Sequence, residues 1–229
     1  MLQSLKSLKD LLFPLSCLSC SALDFWLCPA CHSSWNLSTN KSFVGKIPIY
    51  FKADYNFKTS DVILAAKENS NPLAINLLAR SISQSILYAT LDLGISGDIF
   101  IVTIPSSAAA IRRRGRDHIQ ELAREVQKLL ELKSINSQLL FILSQLPNMK
   151  DQSGLNSRQR IKNTFGMFEV TSCENPQGAV FLIDDLVTTG ASLNEGIRAL
   201  FEAKIKVTAA ITACAVGRNS LIPYTTEHF

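Results

Sequence analysis

The stretch AVFLIDDLVTTGASLNEGIRAL, residues 179–200, contains the pattern on which the fold depends. Five apolar residues run into two adjacent carboxylates, Asp184 and Asp185, and a turn of small and hydroxyl-bearing residues follows. This order predicts a buried strand with an acidic pair at its carboxyl end, then a turn into a helix. Ser192 followed by Glu195 fits a capping box, so we expect the helix to begin at or just before Ser192.

This layout suits a sugar phosphate. Carboxylates accept hydrogen bonds from the vicinal hydroxyls of a ribose, and a helix N-terminus offers free N–H groups and a favourable dipole to a phosphate. The residues that would surround the phosphate are Thr188, Thr189, Gly190, Ala191 and Ser192. The plainer alternative is an acidic strand end and an ordinary turn into a capped helix. The occurrence of the whole string in order favours the ligand site.

Outward from this stretch, apolar strands alternate with amphipathic helices. We expect strands at residues 47–51, 99–104, 139–143, 180–183 and 207–215, and helices at residues 59–68, 73–91, 117–132 and 193–203. Alternation of this kind predicts an α/β fold with a parallel twisted sheet flanked by helices on both faces. Ligands of such folds lie beyond the carboxyl ends of the strands, where the acidic pair would be.

The composition is that of a globular protein. Of 229 residues, 47% are hydrophobic and 18% charged, which excludes a disordered chain. The net charge of +4 is too mild to indicate nucleic-acid binding by itself and suits a phosphorylated small molecule. Leucines spaced three and four apart between residues 2 and 15 predict a short amphipathic helix. Charges interrupt this helix, and no membrane span is visible, so we expect a cytoplasmic protein.

Four of the six cysteines form a compact cluster near the N-terminus. Cys17, Cys20, Cys28 and Cys31 follow the spacing C-x2-C-x7-C-x2-C, in which each pair can turn two thiolates towards one point. Four thiolates make a closed tetrahedral shell for structural Zn²⁺, with no position left for catalysis. A redox role is less favoured because neither pair opens a βαβ unit.

The cysteine cluster defines the domain organisation that we expect. Residues 1–45 would form a small zinc module and residues 46–229 the α/β domain. The aromatic side chains of Phe25, Trp26 and Trp35 would dock the module on the main domain or be offered to a partner. The longest polar stretch, residues 146–164, would be a loop or a loop with a short helix.

The acidic pair and the Thr-Thr-Gly-x-Ser string closely resemble the PRPP-binding motif of type I phosphoribosyltransferases, PRPP being 5-phosphoribosyl 1-pyrophosphate. The resemblance implies that Asp184 and Asp185 bind the ribose hydroxyls and that residues 188–192 bind the 5-phosphate. It also implies Mg²⁺, held largely through ligand oxygens, and catalysis by positioning and charge stabilisation as pyrophosphate leaves.

Two further segments narrow the resemblance. Together with the cysteines, IVTIPSSAAAIRRRGRDHIQELA (101–123) and SGLNSRQRIKNTFGMF (153–168) are similar to the ComF family of competence-associated phosphoribosyltransferase-like proteins. The likeness runs from Cys17 to about residue 216. Where the family reads Arg-Arg-Gly-Phe-Asn-Gln, this chain has Arg113-Arg114-Gly115 followed by Arg116-Asp117-His118. His118 would take over the role of an amide or be a surface residue.

The resemblance also implies where the pyrophosphate lies. Residues of the first segment and one arginine of the second would face it: Pro105, Ser106, Ser107, Arg112, Arg113, Arg114 and Arg158. Arginine suits this place through its bidentate donors. The alternative for these arginines is a solvated loop or a nucleic-acid patch. A hood that selects the acceptor would come from residues 47–92, in which Lys67 resembles a family lysine whose role is open.

Two functions are compatible with these patterns. The first is a magnesium-dependent phosphoribosyltransferase of the glycosyltransferase class, acting on PRPP or a related ribose phosphate with an unknown acceptor. The second is a module that binds PRPP or a nucleotide without turnover, or handles single-stranded DNA during natural competence beside a helicase-like partner. A fold with a ligand motif does not guarantee catalysis, so the sequence leaves both open.

Overall fold

The computed structural model describes residues 15–146, 165–171 and 175–217. Within these ranges, none of the helices has both the length and the apolar character needed to cross a membrane. Three parts of the sequence predictions lie outside the described residues: the helix predicted between residues 2 and 15 except for its last residue, most of the polar stretch 146–164 with Arg158, and Cys173.

A six-stranded sheet forms the centre of the molecule, in the order β1-β2-β8-β7-β3-β4. Its strands are β1 (Asn40–Val44), β2 (Ile47–Asp54), β3 (Ile99–Thr103), β4 (Ser137–Leu140), β7 (Ala179–Val187) and β8 (Val207–Ala215). Neighbouring strands are parallel except β1, which pairs antiparallel with β2 at one edge. A separate two-stranded antiparallel sheet consists of β5 (Leu143–Gln145) and β6 (Phe168–Val170).

Six α-helices are present in the described residues. They are α1 (Pro29–His32), α2 (Phe57–Asn69), α3 (Pro72–Asp92), α4 (Ala108–Arg114), α5 (His118–Glu131) and α6 (Ala191–Glu202). Local sequence explains where the longer ones begin. The Asn56 side chain accepts from Lys58 N at the start of α2, and Asn71 does the same for Leu73 and Ala74 before α3.

The sheet has a hydrophobic core on each face, and β7 supplies both. Phe181 and Ile183 pack in the cluster that contains the apolar side chains of α2, α3 and α5. Leu182 belongs to the other cluster, with Leu193 and Leu200 of α6. Successive side chains of a strand point to opposite faces, so one strand serves both layers. The predicted fold class, a mainly parallel sheet flanked by helices, is confirmed.

Three local predictions are wrong. The strand expected at residues 139–143 is two strands, because the chain leaves the edge of the main sheet after Leu140 and Leu143 begins β5. The strand before the acidic pair does not end there, since β7 continues to Val187. The capping box is absent, because Gly190 is the N-cap of α6 and the Glu195 carboxylate binds Arg198 and the Phe168 N–H.

The regions expected to form a hood and a module both contact the main sheet. Residues 47–92 form β2, which pairs with β8, and the helices α2 and α3, which pack in the core. In the N-terminal segment, Trp35 is buried in that same core and Trp26 packs against it, whereas Phe25 is exposed. The cysteine-bearing segment is therefore attached to the α/β domain through these two tryptophans together with its buried residues Cys17, Leu27, Cys28 and Cys31.

Candidate functional site

The acidic pair divides between the two faces of the sheet. Asp185 is buried on the side of α2 and α5, where its Oδ2 atom lies 3.2 Å from Lys67 Nζ and 2.9 Å from His118 Nε2. Asp184 has the same strand parity as Leu182 and so belongs to the α6 side. It is half-buried, and its Oδ1 accepts the Asp185 N–H at 2.8 Å. The two neighbouring carboxylates consequently have different surroundings.

The electrostatics of the pair follow from these surroundings. Burial alone would raise the pKa of Asp185, but the hydrogen bond with His118 and the charge of Lys67 outweigh it and hold this pKa below its ordinary value. Burial and repulsion from Asp185 raise the pKa of Asp184 well above its ordinary value. Asp185 is thus an internal ion-pair partner, whereas Asp184 forms no ion pair within 4 Å among the described residues.

One cavity opens at the N-terminus of α6. It has a volume of about 220 Å³, and its wall consists of Asp184 and residues 186–193. Gly190 takes a φ of +77° in the turn between β7 and α6, and as the N-cap it offers no side chain to the helix. The N–H of Ala191, the first residue of α6, donates to Thr189 Oγ1 at 3.4 Å. All five predicted phosphate residues, Thr188 to Ser192, line this cavity. A helix N-terminus beside hydroxyl groups is a favourable environment for an anion such as a phosphate.

A second cavity of about 350 Å³ lies on the other side of Asp184. The loop after β3 supplies Pro105, Ser106 and Ser107, and the basic side chains of Lys67 and Arg114 face the same space. Asp184, Leu186, Thr188 and Ser192 line both cavities. The two spaces therefore meet at Asp184. Backbone and hydroxyl groups surround most of the smaller cavity, whereas the larger one has both cations, Lys67 and Arg114, and both carboxylates in its wall.

The structure separates the four arginines of residues 112–116. Of these four, only Arg114 lines either of the two described cavities, and its buried side chain is held by Glu68 of α2 at 2.9 Å. Arg113 is exposed and contacts the same Glu68, whereas Arg112 is exposed. Arg116 donates to the carbonyls of Ala66 and Lys67 at the end of α2 and pairs with Glu121. A single arginine, rather than a wall of them, faces the described cavity.

The four N-terminal cysteines converge as predicted. Their sulfur atoms all lie within 4.8 Å of one another, and three of the four residues are buried. Cys28 N donates to Cys17 Sγ at 3.3 Å. Burial raises the pKa of Cys17, but backbone N–H groups, led by that of Cys28, outweigh it and lower this pKa to about 6. Tetrahedral Zn²⁺ with 2.3 Å Zn–S bonds needs sulfurs about 3.8 Å apart, so the cluster fits a four-thiolate ion.

Sequence reasoning left the roles of Lys67 and His118 open, and the structure brings both to Asp185. Lys67 is 118 residues and His118 is 67 residues from Asp185 along the chain, so no local sequence pattern could have linked them to it. His118 is not a surface residue, because only 6% of its side chain is exposed. Glu68, which holds Arg114, was not recognised at all, since an acidic residue at the end of a helix is ordinary.

Comparisons with known proteins agree with the motifs. No family model matches the chain. It is 31% identical over 98 residues to Competence protein F of Haemophilus influenzae, covering 42% of this chain and 41% of that protein. The match thus spans about two fifths of the relative's length.

Solved structures with a similar arrangement include two purine phosphoribosyltransferases. Hypoxanthine phosphoribosyl transferase of Trypanosoma cruzi has a TM-score of 0.37 at 14% identity, covering 67% of this chain and 71% of that one. Adenine phosphoribosyltransferase of Saccharomyces cerevisiae has a TM-score of 0.39 at 9% identity, covering 86% and 96%. The resemblance to the ComF family that the motifs predict is confirmed, as a resemblance, by the match to Competence protein F and by the clustered N-terminal cysteines.

Proposed function

We propose that the protein binds PRPP with Mg²⁺ at the carboxyl edge of the sheet and acts as a phosphoribosyltransferase on an acceptor not yet identified. One observation carries the proposal. Two cavities suited to anions meet at a half-buried carboxylate, Asp184, with the helix N-terminus of α6 on one side and Lys67 and Arg114 on the other. A ligand with a phosphate at each end of a ribose matches this order of groups.

The 5-phosphate would occupy the smaller cavity. Residues 188–192 offer backbone N–H groups, hydroxyls and the positive end of the α6 dipole, and no charged side chain is needed there. The ribose hydroxyls would donate to Asp184, which lines both cavities. Asp185 would act indirectly, by fixing the end of β7 through Lys67 and His118.

The pyrophosphate would occupy the larger cavity. Lys67 and Arg114 provide positive charge, and the Ser107 hydroxyl provides a donor. The Ser106 hydroxyl donates to Asp117 and would fix the loop that carries both serines. The oxygen-rich surroundings of Asp184 fit Mg²⁺, which would neutralise the charge that develops on departing pyrophosphate. The residues of this chain would hold the two phosphates apart and so fix the anomeric carbon between them.

The test of this function has two stages. Calorimetry with Mg²⁺ and PRPP should show binding, and pyrophosphate release should follow when a panel of purine, pyrimidine and amine acceptors is added. Absence of PRPP binding by the folded protein would contradict the proposal. Binding without release for any acceptor would support the alternative of a non-catalytic PRPP-binding module.

A role in natural competence is a further part of this proposal, suggested by the name of the relative from Haemophilus influenzae. A single-stranded DNA or helicase-like partner has less support, because Arg113, Arg114 and Arg116 are engaged with Glu68 and Glu121. Fluorescence anisotropy with a labelled oligonucleotide at two salt concentrations tests direct DNA binding. Tight, strongly salt-dependent binding would favour the nucleic-acid alternative.

We also propose that Cys17, Cys20, Cys28 and Cys31 hold a structural Zn²⁺ ion. Four thiolates leave no open position, so the ion would stabilise the N-terminal segment without taking part in transfer. Cys20→Ser should reduce the zinc content measured by elemental analysis and lower the melting temperature, since metal binding is coupled to folding. Cys214→Ala, in β8, is the control that should keep its zinc. A full zinc content in Cys20→Ser would contradict the four-thiolate shell.

A further inference from the structure

His118 lines the larger cavity between Asp185 of β7 and Ser106 of the loop after β3. Its ring is buried at the start of α5, with Nε2 lying 2.9 Å from Asp185 Oδ2 on β7. The opposite nitrogen, Nδ1, lies 3.4 Å from Ser106 Oγ on the loop after β3 and 3.4 Å from the Arg114 guanidinium. One imidazole therefore contacts the strand that carries the acidic pair and the loop that carries the serines.

The contacts of His118 belong to a longer chain of polar groups. Ser106 Oγ donates to Asp117 Oδ1 at 2.9 Å, and Asp117 also caps α5 by accepting the Ile119 N–H at 3.2 Å. At the other end, Asp185 accepts from Lys67 Nζ. The chain Asp117–Ser106–His118–Asp185–Lys67 thus runs across the cavity from the start of α5 to the end of α2.

The Asp185 carboxylate would otherwise oppose an anionic ligand. Buried carboxylates need donors, and Asp185 has two in His118 and Lys67. Without the imidazole, Lys67 would be the one basic side chain left to neutralise Asp185 among the described ion pairs, so less of its charge would be available to an anion in the cavity. The same change would leave Ser106 and Arg114 without their contact to the ring. Both changes affect residues that line the larger cavity, which holds the pyrophosphate in our proposal.

We propose that His118 is a positioning residue that couples Ser106 to Asp185 and so keeps Lys67 and Arg114 available to the pyrophosphate. This inference rests on the proposed function. The role of His118 predicts different effects on the two phosphate groups of the ligand, because His118 lines the larger cavity and not the smaller cavity beside α6. Removal of the ring should weaken ligands that contain pyrophosphate and leave ribose 5-phosphate almost unaffected. A residue needed only for folding would weaken all ligands together.

Glutamine at this position offers a partial replacement. Its amide nitrogen can donate to Asp185 in place of Nε2. An amide has only one nitrogen, so none is left to take the place of Nδ1 beside Ser106. His118→Gln should therefore restore the contact with β7 without restoring the contact with the loop. Gln120→Ala is the matched control, because Gln120 lies on the same helix and its side chain contacts Arg124, outside both cavities.

The experiment is titration calorimetry of the full chain with Mg²⁺ and each of PRPP, inorganic pyrophosphate and ribose 5-phosphate. For His118→Ala we expect about 10-fold weaker binding of PRPP and pyrophosphate and at most about a 2-fold change for ribose 5-phosphate. For His118→Gln we expect a loss of about 3-fold. Ser106→Ala should cost about 5-fold in the wild type and at most about 2-fold in the His118→Ala background, because coupled residues are not additive.

The outcomes separate the inference from the function beneath it. Wild-type protein that binds neither PRPP nor pyrophosphate contradicts the proposed function. PRPP binding that is normal in His118→Ala, or losses that are equal for all three ligands, overturns the role of His118 alone. If His118→Ala does not fold, the double variant of His118→Gln and Ser106→Ala takes its place. A pyrophosphate affinity loss in the double variant that equals the combined losses of the two single variants overturns the coupling, and a smaller loss supports it.

Discussion

The α6 side of the site and the α2/α5 side are built in different ways. On the α6 side, five consecutive residues, 188–192, form the cavity with their own backbone and hydroxyl groups. On the α2/α5 side, Lys67, Arg114 and His118 come from three helices and meet carboxylates that belong to other elements. The first side is local in sequence and nearly uncharged, whereas the second is a network of charges that partly neutralise one another. Residue type alone therefore describes the first side well and the second side poorly.

The largest expected effect follows from Asp184, where the two sides meet. Asp184→Asn should weaken Mg²⁺-dependent PRPP binding by about 100-fold or more, since it replaces the charged acceptor of the ribose hydroxyls. The fold should survive because Asp184 is half-buried and has no ion-pair partner among the described salt bridges. Calorimetry measures the affinity and circular dichroism controls for folding. Unchanged affinity would refute the ribose assignment.

The stability effects of the two aspartates should be opposite. Asp185→Asn removes the charge that Lys67 and His118 need, and breaking such a buried pair costs roughly 3 kcal/mol of unfolding free energy. The pKa of Asp184 is raised, so the folded state binds the extra proton and stability falls as pH rises above the ordinary value of 3.8. Asp184→Asn removes that penalty. At pH 7.5 its melting temperature should rise by about 1–3 °C.

The pKa of Asp185 is lowered, which gives the opposite pH dependence. Its contribution is present at neutral pH and is lost as pH falls below the ordinary range of an aspartate. The difference in melting temperature between wild type and Asp185→Asn should therefore stay nearly constant from pH 7.5 down to the ordinary aspartate value of 3.8 and shrink only as the pH falls below it. A difference that does not shrink below that pH would contradict the ion-pair role of Asp185.

The arginines provide the next test of the comparison. Arg114→Ala should weaken inorganic pyrophosphate and PRPP by about 10-fold, because it removes a buried guanidinium from the larger cavity. Arg112→Ala is the matched control, since Arg112 is exposed on the same helix and lines neither cavity. Its affinities should stay within about 2-fold of wild type. Equal losses of affinity in the two variants would support the sequence-based expectation that several arginines of this segment face the pyrophosphate.

The smallest effect should come from a single hydroxyl on the α6 side. Thr189→Val keeps the shape of the side chain and removes one hydrogen-bonding group from the smaller cavity. We expect about 3- to 10-fold weaker ribose 5-phosphate binding, the value of one neutral hydrogen bond. Pyrophosphate binding should not change, and Thr90→Val on α3 should change neither. A loss of affinity confined to pyrophosphate would reverse the assignment of the two phosphate groups to the two cavities.

Much of the fold could be predicted from hydrophobic periodicity. The strand predicted at 207–215 has those same limits, and the helices at 59–68 and 73–91 differ from α2 and α3 by one or two residues at either end. Where the predictions failed, a long-range partner was the reason. Glu195 binds Arg198 and the Phe168 backbone instead of capping α6, and the segment 139–143 splits because its second half pairs with β6.

The candidate site shows the same division. Thr188 to Ser192 could be predicted because their geometry depends on one turn and one helix start. The partners of Asp185 could not, because the contacts of Lys67 and His118 depend on how α2 and α5 cross the sheet. The Glu68 carboxylate that holds Arg113 and Arg114 is likewise 45 and 46 residues away along the chain. The number of free arginines in a basic segment therefore depends on the fold.

The central claim is that one ligand spans both sides of Asp184, with a phosphate group in each cavity. Competition calorimetry with Mg²⁺ tests it most directly, using PRPP, ribose 5-phosphate and inorganic pyrophosphate on the wild-type protein. PRPP should bind more tightly than either fragment, and saturation with PRPP should abolish the binding of both. PRPP that binds no more tightly than ribose 5-phosphate, or pyrophosphate that still binds to the PRPP-saturated protein, would contradict the account.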